Sequence, residues 1–86
     1  MDTKNITIEK TFAQAIQNHQ KNNFKAAEEL YKQILKINPL HFETVFRLGM
    51  LSAQTKDFER AQQLLNRALQ MDPKHTDAHN TLGSVQ

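Results

Sequence analysis

FETVFRLGMLSAQTKDFERAQQLLNRALQMDPKH, residues 42–75, carries two helical patterns separated by a short polar break. In its first half, Val45, Leu48, Gly49 and Ser52 follow the i, i+3, i+4, i+7 spacing that places side chains on one face of an α-helix. In its second half, Ala61, Leu64, Leu65, Ala68 and Leu69 do the same. Asp57 precedes Phe58, where a short polar side chain can cap the free N–H groups of a starting helix. Pro73 closes the stretch, because proline lacks an N–H and forces the residue before it, Asp72, out of helical geometry. The stretch is therefore a helical hairpin.

Residues 8–41 repeat it at a period of 34, with Glu9/Glu43, Phe12/Phe46, Gln20/Gln54, Phe24/Phe58, Ala27/Ala61, Leu30/Leu64, Leu35/Leu69, Pro39/Pro73 and His41/His75 identical. Asn23 stands where Asp57 does and predicts a second cap. Glu28 and Lys32 are spaced for an i, i+4 ion pair. A third copy begins at Thr76 and runs to the end of the sequence. The chain thus parses into a leader, 1–7, a first repeat, 8–41, a second, 42–75, and a partial third, 76–86. Strand signals are absent, the only β-branched cluster being Ile6-Thr7-Ile8 beside the helix start, so the fold class is all-α, with about five helices. A small residue recurs at Ala15, Gly49 and Gly83, and again at Ala27 and Ala61. Glycine inside a helix costs about 1 kcal/mol relative to alanine, which close approach of two helix axes would offset.

Length and composition narrow the function. At 86 residues the chain makes one small domain, too small to wall an enzyme cleft on all sides. With no cysteine there is no disulfide, thiolate metal site or thiol nucleophile, and a reducing, cytoplasmic setting fits. No apolar stretch approaches the ~18 residues of a membrane span, and no targeting segment is visible. Lys and Arg number 11 against 9 Asp and Glu, but they are scattered and interleaved with acids, which speaks against nucleic acid as a partner. The two glycines sit in helical patterns, so there is no phosphate-binding loop, and no nucleophile–base constellation can be drawn. His75 and His79 are four apart, with Asp72 and Asp77 near them, yet a stable metal site wants further ligands and their supporting partners. No catalytic residue, metal site or cofactor is expected.

These repeats resemble the tetratricopeptide repeat, whose signature over 34 residues is Trp-x2-Leu-Gly-x2-Tyr, then Ala-x3-Phe, then Pro. Here the second unit offers Val45-x2-Leu48-Gly49-x2-Ser52, Ala61-x3-Leu65 and Pro73. The first offers Thr11-x2-Gln14-Ala15-x2-Asn18, Ala27-x3-Tyr31 and Pro39, and the third His79-x2-Leu82-Gly83-x2-Gln86. The resemblance implies antiparallel hairpins stacked as a right-handed α-solenoid, with a concave groove lined by the first helix of each repeat that holds a peptide or partner helix of another protein. By the same resemblance the groove residues are Glu9, Phe12, Ile16, His19 and Gln20; Glu43, Phe46, Met50 and Gln54, with Ala53; and Asp77 and Asn80, with Ser84.

Two readings stay open for Phe12, Ile16, Phe46 and Met50, which either face a partner or pack among themselves as core. The recurring acids Glu9, Glu43 and Asp77 either compensate helix dipoles or suit a ligand with a basic or amide-rich edge. The lysine, arginine and asparagine set with which some family members clamp a carboxylate is missing. The sixth position, where related glycosyltransferases carry an asparagine ladder, holds Ala13, Arg47 and Thr81. The alternative function is self-association, a homodimer formed through residues 76–86, because Ala78, Leu82 and Val85 have no following helix to cover their far side.

Overall fold

The computed structural model describes residues 3–85, with side chains from residue 7 onward. The motif position at Gln86 and the first two residues of the leader lie outside the described residues. Five α-helices are present among those described: α1 (Thr3–Gln20), α2 (Phe24–Ile37), α3 (Phe42–Gln54), α4 (Phe58–Met71) and α5 (Thr76–Val85). The chain divides into two compact units, Met1–His41 and Phe42–Gln86. In the first, α1 packs along α2; in the second, α4 packs along both α3 and α5.

The leader does not stay apart from the first helix, because α1 begins at Thr3 rather than at Ile8. Neither glycine nor proline stands between Thr3 and Ile8, and extending an existing helix costs far less than nucleating one. Ile8, inside this longer helix, is buried.

The turn between the two helices of each hairpin uses one left-handed residue, Asn22 (φ 64°) and Lys56 (φ 68°). In the first turn, Asn23 N–H donates to the Asn18 carbonyl (2.8 Å) and Asn22 N–H to that of His19 (3.1 Å). In the second, Asp57 N–H donates to Ser52 (2.8 Å) and Lys56 N–H to Ala53 (3.1 Å). These bonds satisfy the last free carbonyls of α1 and α3. Lysine is a poor occupant of this conformation, since its Cβ crowds the backbone carbonyl by about 1–2 kcal/mol, whereas asparagine tolerates it. Lys56→Gly is expected to raise the unfolding free energy by about 0.5–1 kcal/mol, and Asn22→Gly by close to zero. Urea midpoints decide it, and a lower midpoint for Lys56→Gly would contradict the role given to this turn.

The two expected caps differ. The Asp57 carboxylate accepts from Arg60 N–H at 3.4 Å. Asn23 makes no side-chain cap bond, because its carboxamide is turned back to the Asn18 side chain (3.4 Å). At the far ends, Asn38 (φ −138°, ψ 93°) and Asp72 (φ −138°, ψ 86°) are extended, as residues before proline must be, and α2 and α4 stop there. The Glu28–Lys32 pair forms at 3.4 Å on the surface.

The core stripes are where the periodicity puts them: Val45, Leu48, Gly49 and Ser52 on α3 and Ala61, Leu65 and Ala68 on α4 are buried, while Leu64 and Leu69 are half-buried. Gly49 is a close-contact point, since a Cβ there would lie 3.0 Å from Leu65 Cγ and 3.3 Å from Leu64 Cβ. Gly83 is not, for nothing lies within 4 Å of the Cβ it lacks. α5 also lays its apolar side on α4: Ala78 and Leu82 are buried, Val85 is half-buried, and Gln62 Nε2 donates to the Val85 carbonyl at 3.3 Å. Ala78 and Leu82 are thus covered from within the chain, and the outward residues His79, Asn80, Gly83 and Ser84 are polar or small.

Candidate functional site

In the first unit, the groove candidates lie on one helix, α1. Glu9 and Gln20 are exposed, and Phe12, Ile16 and His19 are half-buried. His19 is turned inward: its Nδ1 is 3.0 Å from the hydroxyl of the fully buried Tyr31, and its ring meets Phe24 (5.8 Å) and Tyr31 (6.0 Å) edge-on. Its work is to cover Phe24 and Tyr31. Phe12 continues the row of rings, 6.3 Å from Tyr31 and 5.5 Å from His41. Phe12 is thereby committed to packing on these rings, and both it and Ile16 keep a minor part of their surface exposed.

The second unit forms a cleft of about 330 Å³ lined by Phe46, Arg47, Met50, Asp77, Asn80 and Thr81. Four of these, Phe46, Met50, Asp77 and Asn80, are positions expected for the groove. They meet because α3 and α5 both pack on α4 and so present corresponding faces side by side. Helical spacing then sets the walls: Phe46, Arg47 and Met50 are i, i+1, i+4 on α3, and Asp77, Asn80 and Thr81 are i, i+3, i+4 on α5. Phe46 is 8% exposed and Met50 half-buried, which gives the α3 wall an apolar part beside Arg47, whereas the α5 wall is polar throughout.

His75 ties the two walls together. Its ring lies 4.9 Å from both Phe42 and Phe46, which stack on each other at 6.0 Å. Its Nδ1 accepts a hydrogen bond from Ala78 N–H at 3.1 Å, so the histidine caps α5 as it packs against α3. Phe46 is packed on one side by Phe42 and His75, and its other side lines the cleft.

Arg47 and Thr81 hold the sixth repeat position, outside the set expected for the groove. Each stands four residues after an acid of its own helix, Glu43 or Asp77, and that i+4 neighbourhood is the signal that could have found them. Glu43 is exposed on the same α3 face but does not line the cleft, and Gln54 is exposed at the far end of α3.

The Asp77 carboxylate makes no ion pair or side-chain hydrogen bond among the described residues; only its backbone carbonyl is used, by the Thr81 hydroxyl at 2.8 Å. Arg47 has contacts of its own, and its Nε is buried in the wall. No group of three or more His, Asp and Glu side chains among the described residues could hold a metal ion, and His79 Nε2 sits 2.6 Å from the Pro73 carbonyl.

A family model described as tetratricopeptide repeat matches residues 18–85. Among solved structures, the chain is similar to a mutant O-GlcNAc transferase of Thermobaculum terrenum, at 27% identity and a TM-score of 0.93, over 99% of this chain and 16% of that one. It is also similar to the C-terminal TPR-containing domain of an FK506-binding protein of Plasmodium falciparum, at 22% identity and a TM-score of 0.88, over 95% of this chain and 54% of that one. The second likeness bears on the fold alone. The chain therefore spans a small part of the first protein and about half of the second. Among curated proteins none matches the sequence. Together with the five helices, these likenesses identify an all-α solenoid fold of the tetratricopeptide type.

Proposed function

The chain belongs to the tetratricopeptide-repeat family, whose domains generally mediate protein–protein interaction, and from that premise we propose that it is a non-catalytic module binding a peptide or helix of another protein along the first helix of each repeat. In this reading 8–41 and 42–75 are the full repeats and 76–86 the first helix of a third. The observation that carries it is the α3/α5 cleft, where Phe46, Met50, Asp77 and Asn80 come together as one apolar and one polar wall. Sites of this kind combine apolar area for affinity with a few polar groups for orientation. Glu9, Phe12, Ile16 and Gln20 on α1 are the corresponding contribution of the first repeat.

No observation favours self-association through residues 76–86, since the apolar side of α5 is spent on α4. No helix among the described residues is long and apolar enough to cross a membrane. The cysteine-free composition supports a reducing compartment such as the cytoplasm.

The test is capture of partners from the native source, followed by titration of the purified partner against Phe46→Ala and Met50→Ala. Each is expected to weaken binding by about 1–2 kcal/mol, roughly five- to thirtyfold, while the helical circular-dichroism signal persists. Met50→Ala is the cleaner of the two, because Phe46 also packs on Phe42 and His75. Unchanged affinity in both variants rejects the site.

A further inference from the structure

We propose that the α3/α5 cleft takes a lysine or arginine side chain of the partner, its alkyl stem lying on Phe46 and Met50 and its cationic head meeting the Asp77 carboxylate and the Asn80 carboxamide. This deepens the functional reading above and rests on it. The apolar wall suits a hydrocarbon stem, and long basic side chains routinely lay their stems on apolar surface while the charge stays hydrated. The opposite wall supplies a carboxylate with no ion pair or side-chain hydrogen bond among the described residues and an amide oxygen three residues on, one helical turn apart.

Charge around the cleft points the same way. Among the lining residues the Asp77 carboxylate stands against the Arg47 guanidinium, whose Nε is buried in the wall, and Glu43, exposed on α3 outside the cleft, adds a second carboxylate. The histidines closest in sequence are otherwise used: His75 Nδ1 accepts from Ala78 N–H, and His79 Nε2 lies against the Pro73 carbonyl. A second line of evidence comes from the other unit. Dipole compensation accounts for an acid only within the first turn of a helix, as at Glu43 and Asp77. Glu9 is the seventh residue of α1, whose first turn holds no acid, yet it occupies the same repeat position and is exposed. An acid kept where the dipole does not ask for it is consistent with a charge used toward a ligand.

The probe is Nα-acetyl-lysine N-methylamide, compared with the norleucine equivalent, which has the same stem and no charge. Binding is followed by NMR at the Met50 methyl and the Asn80 side-chain amide, with Met71 as an internal reference. A fragment of this size is expected to bind in the millimolar range. The lysine probe should move both signals, the norleucine probe should bind at least about threefold more weakly, and salt should weaken only the former. Asp77→Asn should weaken the lysine probe by about three- to fivefold and Asp77→Glu should restore it, with the Leu82 methyls reporting that α5 stays docked. Equal shifts from both probes, no shift at saturating probe, or undiminished binding by Asp77→Asn overturns the assignment. Any of these would leave the partner titrations of Phe46→Ala and Met50→Ala standing, so the two readings fail separately.

Discussion

Gly49→Val is expected to lower the unfolding free energy by about 2–3 kcal/mol, a drop of roughly 10–20 °C in Tm for a chain of this length. The first atom added to Gly49 already lies 3.0 Å from Leu65 Cγ and 3.2 Å from its Cδ2. Leu65 is fully buried and has no solvent-side rotamer to retreat into, so the strain must pass to the backbone of α3 or α4. Gly49→Ala adds one atom instead of three and gains about 1 kcal/mol in helix propensity, which leaves a net loss of about 1 kcal/mol. Gly83→Ala has the same propensity gain with no neighbour within 4 Å, and is expected to be neutral or stabilising by up to about 0.5 kcal/mol near the end of its helix. A double-mutant cycle isolates the contact. Leu65→Ala alone should cost about 2–5 kcal/mol, and its combination with Gly49→Val should fall short of the sum by about 1 kcal/mol or more. Strict additivity in urea or thermal unfolding would show that the two residues do not share the space assigned to them.

Tyr31→Ala is expected to be at least as damaging, at about 3–5 kcal/mol. Tyr31 is the largest fully buried side chain of the first unit, and Phe12 and His19 both pack on its ring. Tyr31→Phe keeps the ring and removes the bond to His19 Nδ1, for a cost of about 1 kcal/mol. His19→Ala removes that bond and also uncovers Phe24, and it should fall between the two, at about 1–2 kcal/mol. The second unit serves as a natural comparison. There Ala53 and Leu65 replace His19 and Tyr31, and Phe58, the counterpart of Phe24, is 48% exposed. Thermal melts that rank His19→Ala as neutral would remove histidine from the core and return it to the groove face.

Most of the architecture was legible in the chain because its determinants are local. The 34-residue period, the pre-proline residues Asn38 and Asp72, and the apolar spacing on α3 and α4 each act through neighbours within a turn or two of helix, and the elements form where those signals put them. Local signals are ambiguous at two places. Nothing near Thr3 distinguishes a leader from an extra helical turn, and a carboxamide at Asn23 can cap a helix or, as it does, turn back to Asn18.

The candidate site was legible by half. Repeat register placed Phe46, Met50, Asp77 and Asn80 on matching helix faces, but it could not say which side chains those faces would keep. His19 shares the register and is drawn inward by a tyrosine twelve residues away, while Arg47 and Thr81 lie off the register and line the cleft. Gly49 and Gly83 are the same residue at the same repeat position, yet one touches Leu65 and the other touches nothing. By itself the sequence determined the helices, their ends apart from the start of α1, the period and the all-α class, since each follows from backbone and side-chain chemistry over a few residues. Only the tertiary structure decided that Ala78 and Leu82 are covered by α4, that His75 is both cap and packing ring, and that α3 and α5 enclose a cleft. Those depend on which distant side chain fills each space first, and that competition has no period to read.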